Sequence, residues 1–271
     1  MKPIQVLPLV RSGAADAFGL SDAEIALGAA SHSAEPRHVE AVDAWLDRIG
    51  LGRDALECGA GRPLSPAEAD RRLLAGEQFE SIHNCCSGKH AGFLTIAQHL
   101  GIDPAGYIER EHPVQQLVTA AIAEFTGIPV ADHSSGTDGC GIPTFAMPLH
   151  ALAGSLQRLV QSEQSSTRRV VAALTDNQFF LSGSDRLGTR LVSEASEPLL
   201  IKDGAEGVFV AALPTRGIGV AVKVRDGALR ASEAAITAVL GELGVIDPSL
   251  AATEITNKAG TVVGLMEVCL S

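Results

Sequence analysis

At 271 residues the chain is long enough to bury one sizeable hydrophobic core or two small ones, and 46% hydrophobic with 20% charged residues is ordinary for a globular protein. The formal net charge is −11 with no lysine–arginine cluster, so a phosphate backbone or an anionic membrane surface would be repelled. Nucleic acid and lipid are thereby excluded as partners, whereas a small substrate of either sign is not.

The first two-thirds of the chain read mainly as helices. Ser21-Asp22-Ala23-Glu24 is a capping box ahead of an Ala/Ile/Leu run. Glu35-Pro36 places a proline at a helix start, and Val39, Val42, Leu46 and Ile49 form one apolar stripe. Ser65-Pro66-Ala67-Glu68 repeats the start signal and Gly76 is the stop. Residues 87–100 form a helix closed by Gly101, with Ser87 as its expected cap, and Pro113 opens another that ends near Gly127. Segments 143–161 and 166–176 also read as helical.

The last third changes period. Val208 to Leu213 is a continuous apolar run, and after Pro214-Thr215-Arg216-Gly217 the residues Ile218, Val220, Val222 and Val224 alternate with smaller or polar ones. That pattern predicts a β-hairpin. A helix over 231–243 and a strand from Thr261 to Val268 follow. The expectation is one domain over 1–271. A hairpin plus one late strand is a thin sheet for so many helices, and the pattern implies further strands whose place would be before Met1.

Cys58, Cys85, Cys86, Cys140 and Cys269 are odd in number and two are adjacent, which fits a reducing compartment better than a disulfide framework. No stretch approaches the ~20 apolar residues of a membrane span, and the proline-broken start Met-Lys-Pro-Ile-Gln-Val-Leu-Pro is a poor leader peptide. A cytoplasmic location is expected.

Three segments carry chemistry. The first is His83-Asn84-Cys85-Cys86-Ser87-Gly88-Lys89-His90. It is no phosphate loop, because position 83 is His rather than Gly and His90 stands where Ser or Thr is required. Cys86 and Lys89 lie about one helical turn apart and would meet Cys140 of Asp138-Gly139-Cys140-Gly141 at a zinc ion, two thiolates being suitable donors. Spacing alone equally allows two core cysteines and a surface lysine. The second segment is Ala30-Ser31-His32-Ser33, where Ser31 reads as a cap, a nucleophile or a proton relay, with His32 as a nearby base. The third is Lys202-Asp203-Gly204-Ala205-Glu206-Gly207. A lysine buried there loses its proton more readily and can act as a general base.

Together with Lys2-Pro3-Ile4-Gln5, Cys58-Gly59, His112-Pro113-Val114-Gln115, Asp138 through Pro143, and Lys223 through Gly227, these segments resemble the rhizobial-type L-asparaginase II family, in the family's order from residue 2 to about 230. The resemblance implies an α+β fold like that of the serine β-lactamases and glutaminases, an antiparallel sheet packed with helices, with N-terminal strands missing here. It implies zinc held by Cys86, Lys89 and Cys140, substrate binding by Asp138 at the α-amino group with His90 in the same pocket, and catalysis by serine–lysine pairs. Ser31 would pair with Lys202. The family's Arg-Ser-x-x-Lys-Pro motif is matched by Lys2-Pro3, with its serine ahead of Met1. Ala34 stands where many relatives carry glycine. The expected reaction is hydrolysis of L-asparagine to L-aspartate and ammonia through an acyl-enzyme. The alternatives are a catalytically impaired relative that binds zinc or an amino acid, and a glutaminase or other small-amide hydrolase. No Lys-Thr-Gly-type strand supports β-lactam hydrolysis. The resemblance also suggests a homodimer.

Overall fold

The computed structural model describes residues 1–129 and 134–269. Its helices and antiparallel strands segregate along the chain, as an α+β fold requires. Short helices α1 (Lys2–Gln5), α2 (Leu7–Arg11) and α3 (Ala14–Ala17) come first, with Pro3 and Pro8 in first turns, where a missing N–H breaks no helical bond. The capping box forms: in α4 (Asp22–Gly28) the Ser21 hydroxyl accepts from the Glu24 N–H and the Glu24 carboxylate accepts from the Ser21 N–H. Next come α5 (Pro36–Arg48) and α6 (Pro66–Leu74), each begun by its proline, and the stripe of Val39, Val42, Leu46 and Ile49 is buried. The helices α7 (Ser87–Leu100) and α8 (Pro113–Thr126) end at Gly101 and Gly127, both left-handed.

Two expectations need correction. Ser87 is the first helical residue of α7 rather than its cap. Cys86 takes the cap position, its N–H bonded to the Asn84 side chain at 2.9 Å, and the Ser87 hydroxyl donates to the Ile82 carbonyl. The segment 143–161 is helical only in its second part. Strand β1 (Ser135–Thr137) pairs antiparallel with β2 (Pro143–Phe145), and α9 (Leu149–Gln161) begins only after Pro148. Pro148 accounts for the late start, since proline disfavours helical backbone in the residue before it.

After α9 come α10 (Ser165–Asp176), α11 (Gln178–Leu181) and α12 (Leu187–Glu194). The main sheet then forms from β3 (Leu200–Asp203), β4 (Val208–Leu213) and β5 (Ile218–Lys223), in that spatial order and antiparallel throughout. The expected hairpin forms, with Leu213 facing Ile218. Helix α13 (Leu229–Glu242) follows, and a separate hairpin of β6 (Thr253–Thr256) and β7 (Val262–Met266) ends the described chain.

The period-2 alternation of the sheet decides what each face meets. Leu200, Val210 and Ala212 belong to the large core shared with α4, α5, α7, α8, α9 and α10. Ile201, Phe209, Ala211 and Leu213 pack instead with Ile236 and Leu240 of α13. Lys202 lies opposite Val210 and so shares the first face, the one turned to the helical core. Close packing fixes the helices too. A Cβ on Gly88 would come within 2.5 Å of the Leu27 carbonyl oxygen, so only glycine lets the start of α7 lie against the end of α4.

Candidate active site

The loop between α4 and α5 carries Ser31. Its backbone is tied down on both sides, Ser31 N–H to the Leu181 carbonyl and His32 N–H to the Cys85 carbonyl, each at 3.1 Å. Ser33 adds a hydroxyl bond to the Ser182 carbonyl at 2.9 Å. Ala34 is held at φ +55°, the left-handed backbone that glycine adopts more cheaply. His32 is no base for Ser31. Its Nδ1 accepts the Ala34 N–H at 3.1 Å, its Nε2 lies 2.8 Å from the Ser87 hydroxyl, and burial holds its pKa well below the usual histidine value. The ring is a neutral clamp between the loop and α7.

Helix α1 brings Lys2 to that loop. The Lys2 ammonium donates to the Ala30 carbonyl at 2.5 Å, to Ser31 Oγ at 2.9 Å and to Cys86 Sγ at 3.3 Å. One cation therefore joins the serine to the thiol cluster. Burial alone would pull the Lys2 pKa down, but the charge and hydrogen bond of Cys86 outweigh it and the net shift is upward.

The structure brings Cys86, Lys89 and Cys140 close together. Lys89, almost wholly buried, donates to Cys140 Sγ at 3.1 Å, one turn along α7 from Cys86. Hydrogen bonds from Cys140 and Cys85, reinforced by the Lys2 and Lys89 cations, overcome burial and lower the Cys86 pKa. That thiolate in turn joins burial in raising Cys85 and Cys140. Cys58 is separate, pushed up to about 12 chiefly by burial. Among the described residues no three His, Cys, Asp or Glu side chains stand together as a ligand set, so a metal held here would draw on Lys89 beside Cys86 and Cys140. Two buried sulfurs beside a lysine, which would have to lose its proton to bind, are a soft, water-shielded set of the kind that fits zinc.

Asp138 sits at the rim, its side chain 43% exposed, with Oδ2 3.7 Å from Lys89 Nζ and 3.5 Å from Cys140 Sγ. The turn is closed by the Asp138 N–H to the Ile142 carbonyl at 2.8 Å and the Gly141 N–H to the Asp138 carbonyl at 2.9 Å. A carboxylate so placed can take an ammonium group from solution.

Lys202 is also buried, but its hydrogen bonds go to the Asp203 carbonyl at 2.8 Å and the Asp203 carboxylate at 2.7 Å, whereas the bond to Ser31 comes from Lys2. Burial and the nearby Lys2 cation lower the Lys202 pKa, against the opposing pull of Asp203. Asp203 is itself lowered to about 2, because Lys202 and Arg186 (2.6 Å away) more than offset its burial.

Sequence reasoning missed four partners: Asn84, Cys85, Tyr107 and Arg186. Cys85 and Asn84 lay inside the singled-out segment and adjacency alone could have found them. Nothing in the sequence links Tyr107, whose hydroxyl is 2.6 Å from His90 Nδ1, or Arg186 to the site.

The family model described as L-asparaginase II matches residues 1–268. No curated protein matches the chain.

Proposed function

The chain belongs to the L-asparaginase II family, and on that footing we propose that it hydrolyses the side-chain amide of L-asparagine to L-aspartate and ammonia through a serine–lysine site. The observation that carries the reading is the position of Lys2, whose ammonium holds Ser31 Oγ at 2.9 Å and Cys86 Sγ at 3.3 Å. It ties the serine to the thiol cluster, beside which Asp138 lies, and so supports reading them as one site.

In this reading Asp138 pairs with the substrate α-ammonium and so sets which end of the molecule enters. Lys2 fixes the Ser31 hydroxyl by donating to its oxygen. Lys202, whose pKa burial lowers, is the amine this reading assigns to take the Ser31 proton as Oγ attacks the carboxamide carbon. The tetrahedral intermediate collapses with loss of ammonia, which carries away that proton, and leaves an ester on Ser31. Water, deprotonated by the same amine, cleaves the ester to aspartate. Lys2 also matches the lysine of the Arg-Ser-x-x-Lys-Pro motif, whose serine has its place ahead of residue 1 and would form a second pair with it. Zinc bound by Cys86, Cys140 and Lys89 would supply a fixed positive charge that orients the substrate.

The test is ammonia release from asparagine and from glutamine by residues 1–271, beside the same chain carrying Arg-Ser-Ala ahead of Met1. Release from asparagine is expected from both, faster from the longer chain, with glutamine the poorer substrate. No release from either chain, or a preference for glutamine, would sink the proposal. Zinc content by elemental analysis should fall in both Cys86→Ala and Cys140→Ala. Unchanged zinc in both variants removes the metal from the account.

A further inference from the structure

Tyr107 and His90 form a buried pair behind the thiol cluster, and both side chains are fully enclosed. The Glu57 backbone N–H donates to the Tyr107 hydroxyl oxygen at 2.9 Å, and His90 Nδ1 lies 2.6 Å from the same oxygen. Counting hydrogens settles the direction of the second bond. A phenol has one proton to donate. With the Glu57 N–H already directed at its oxygen, the only acceptor bonded to that hydroxyl among the described residues is His90 Nδ1. Were Nδ1 protonated, two N–H groups would converge on one oxygen and the phenolic proton would have nowhere to go. Nδ1 is therefore bare, and the ring proton is on Nε2.

His90 Nε2 is buried and has no hydrogen-bond partner among the described residues. Buried donors are nearly always paired, so an unpaired one among the charged groups of the site calls for a partner that the chain does not itself supply. The ring follows Lys89 on α7 and feels the charges of Lys89, Cys86 and Lys2. The Asp138–Ile142 turn packs against the same wall, since a Cβ on Gly141 would come within 3.1 Å of Ile108 and 3.8 Å of the Glu57 carbonyl.

We propose that Tyr107 is a positioning residue that locks His90 as the Nε2–H tautomer, so that His90 presents one buried N–H donor to an oxygen of the bound amino-acid amide and serves neither as a base nor as a metal ligand. The assignment of that oxygen to an amide substrate rests on the function proposed above; the tautomer does not.

The experiment uses the full chain with ¹⁵N-labelled histidine and long-range ¹H–¹⁵N spectra, followed by asparagine titration. The expected wild-type spectrum shows His90 with a bare Nδ1 and a protonated Nε2, and asparagine shifts the Nε2 proton. Tyr107→Phe should release the tautomer and raise KM about tenfold with little change in kcat, as loss of binding common to ground and transition states predicts. His90→Gln, which keeps an N–H donor, should retain substrate binding better than His90→Leu. A protonated Nδ1 in the wild-type protein overturns the proposal. So does an Nε2 proton that asparagine leaves unmoved while the protein turns asparagine over. If the protein releases no ammonia, the function proposed above fails, yet the wild-type spectrum still decides the tautomer. A Tyr107→Phe protein that does not fold leaves the decision to that spectrum and to the His90 variants.

Discussion

Lys2 and Lys202, two of the three lysines of the site, are driven in opposite directions by their neighbours. Lys2 faces Cys86, whose thiolate raises its pKa against burial, so it stays an ammonium that donates to Ser31. Lys202 is lowered by burial and by Lys2, and only Asp203 and the more distant Cys85 work the other way. Amines pushed apart in this manner differ in how readily each gives up its proton, Lys202 the more readily. In the proposed mechanism Lys202 takes the serine proton as a free amine, so activity is expected to rise as pH climbs through its folded pKa. Removing Asp203 takes away an influence that raises that pKa, so Asp203→Asn should move the acid limb of the kcat/KM profile to lower pH. A limb left in place, or moved to higher pH, would remove Lys202 from the role of base. The same carboxylate has a stability signature. Its pKa falls from 3.8 to about 2 on folding, so its contribution is complete above pH 3.8 and is lost as pH drops through 2. The difference corresponds to roughly 2 kcal/mol, and Asp203→Asn should flatten the fall in stability over that interval.

Helix α7 is the element on which the site depends. It presents Cys86 at its cap, Lys89 one turn on and His90 behind, and it can do so only because Gly88 rests on the Leu27 carbonyl. Backbone cannot swing aside as a flexible side chain can, so Gly88→Ala should cost about 3 kcal/mol, the upper end of overpacking penalties. The check is a lower urea midpoint at unchanged slope, together with reduced zinc content. Wild-type stability in the Gly88→Ala variant would mean that α4 and α7 are not in the described contact. The same helix shows how far sequence carries. Its end at Gly101 and the one-turn spacing of Cys86 and Lys89 follow from local chemistry, whereas the cap at Cys86 in place of the expected Ser87 depends on the Asn84 side chain. So does the hairpin of β4 and β5, where alternation and a Pro-Thr-Arg-Gly turn coincide. Strand β2 reads as helix in the sequence because its three residues precede a long amphipathic run, and their pairing with β1 is a tertiary event. Strand β3 carries Lys202 to the core-facing side of the sheet, a placement that only register with β4 determines.

At the scale of the whole molecule, the site is gathered from residues 2, 31, 86–90, 138–140 and 202, five separate regions that no local pattern joins. Resemblance to a family supplied that grouping; composition, period and spacing supplied the elements it is built on. The contacts that refine it were not legible at all. The bond from Lys2 to Ser31 crosses 29 positions and the one from Lys89 to Cys140 crosses 51, and Tyr107 meets His90 only because α7 and the loop ahead of α8 pack together. The family relation establishes asparaginase-type chemistry broadly, whereas the proposal that Ser31 acts in it stands on this geometry. The most direct measurement is ammonia release from asparagine by the unaltered chain and by Ser31→Ala, at equal zinc content and equal folded fraction. The account predicts that the variant loses about a hundredfold or more in kcat, the scale seen when a reacting group is removed. Equal rates in the two proteins would contradict it.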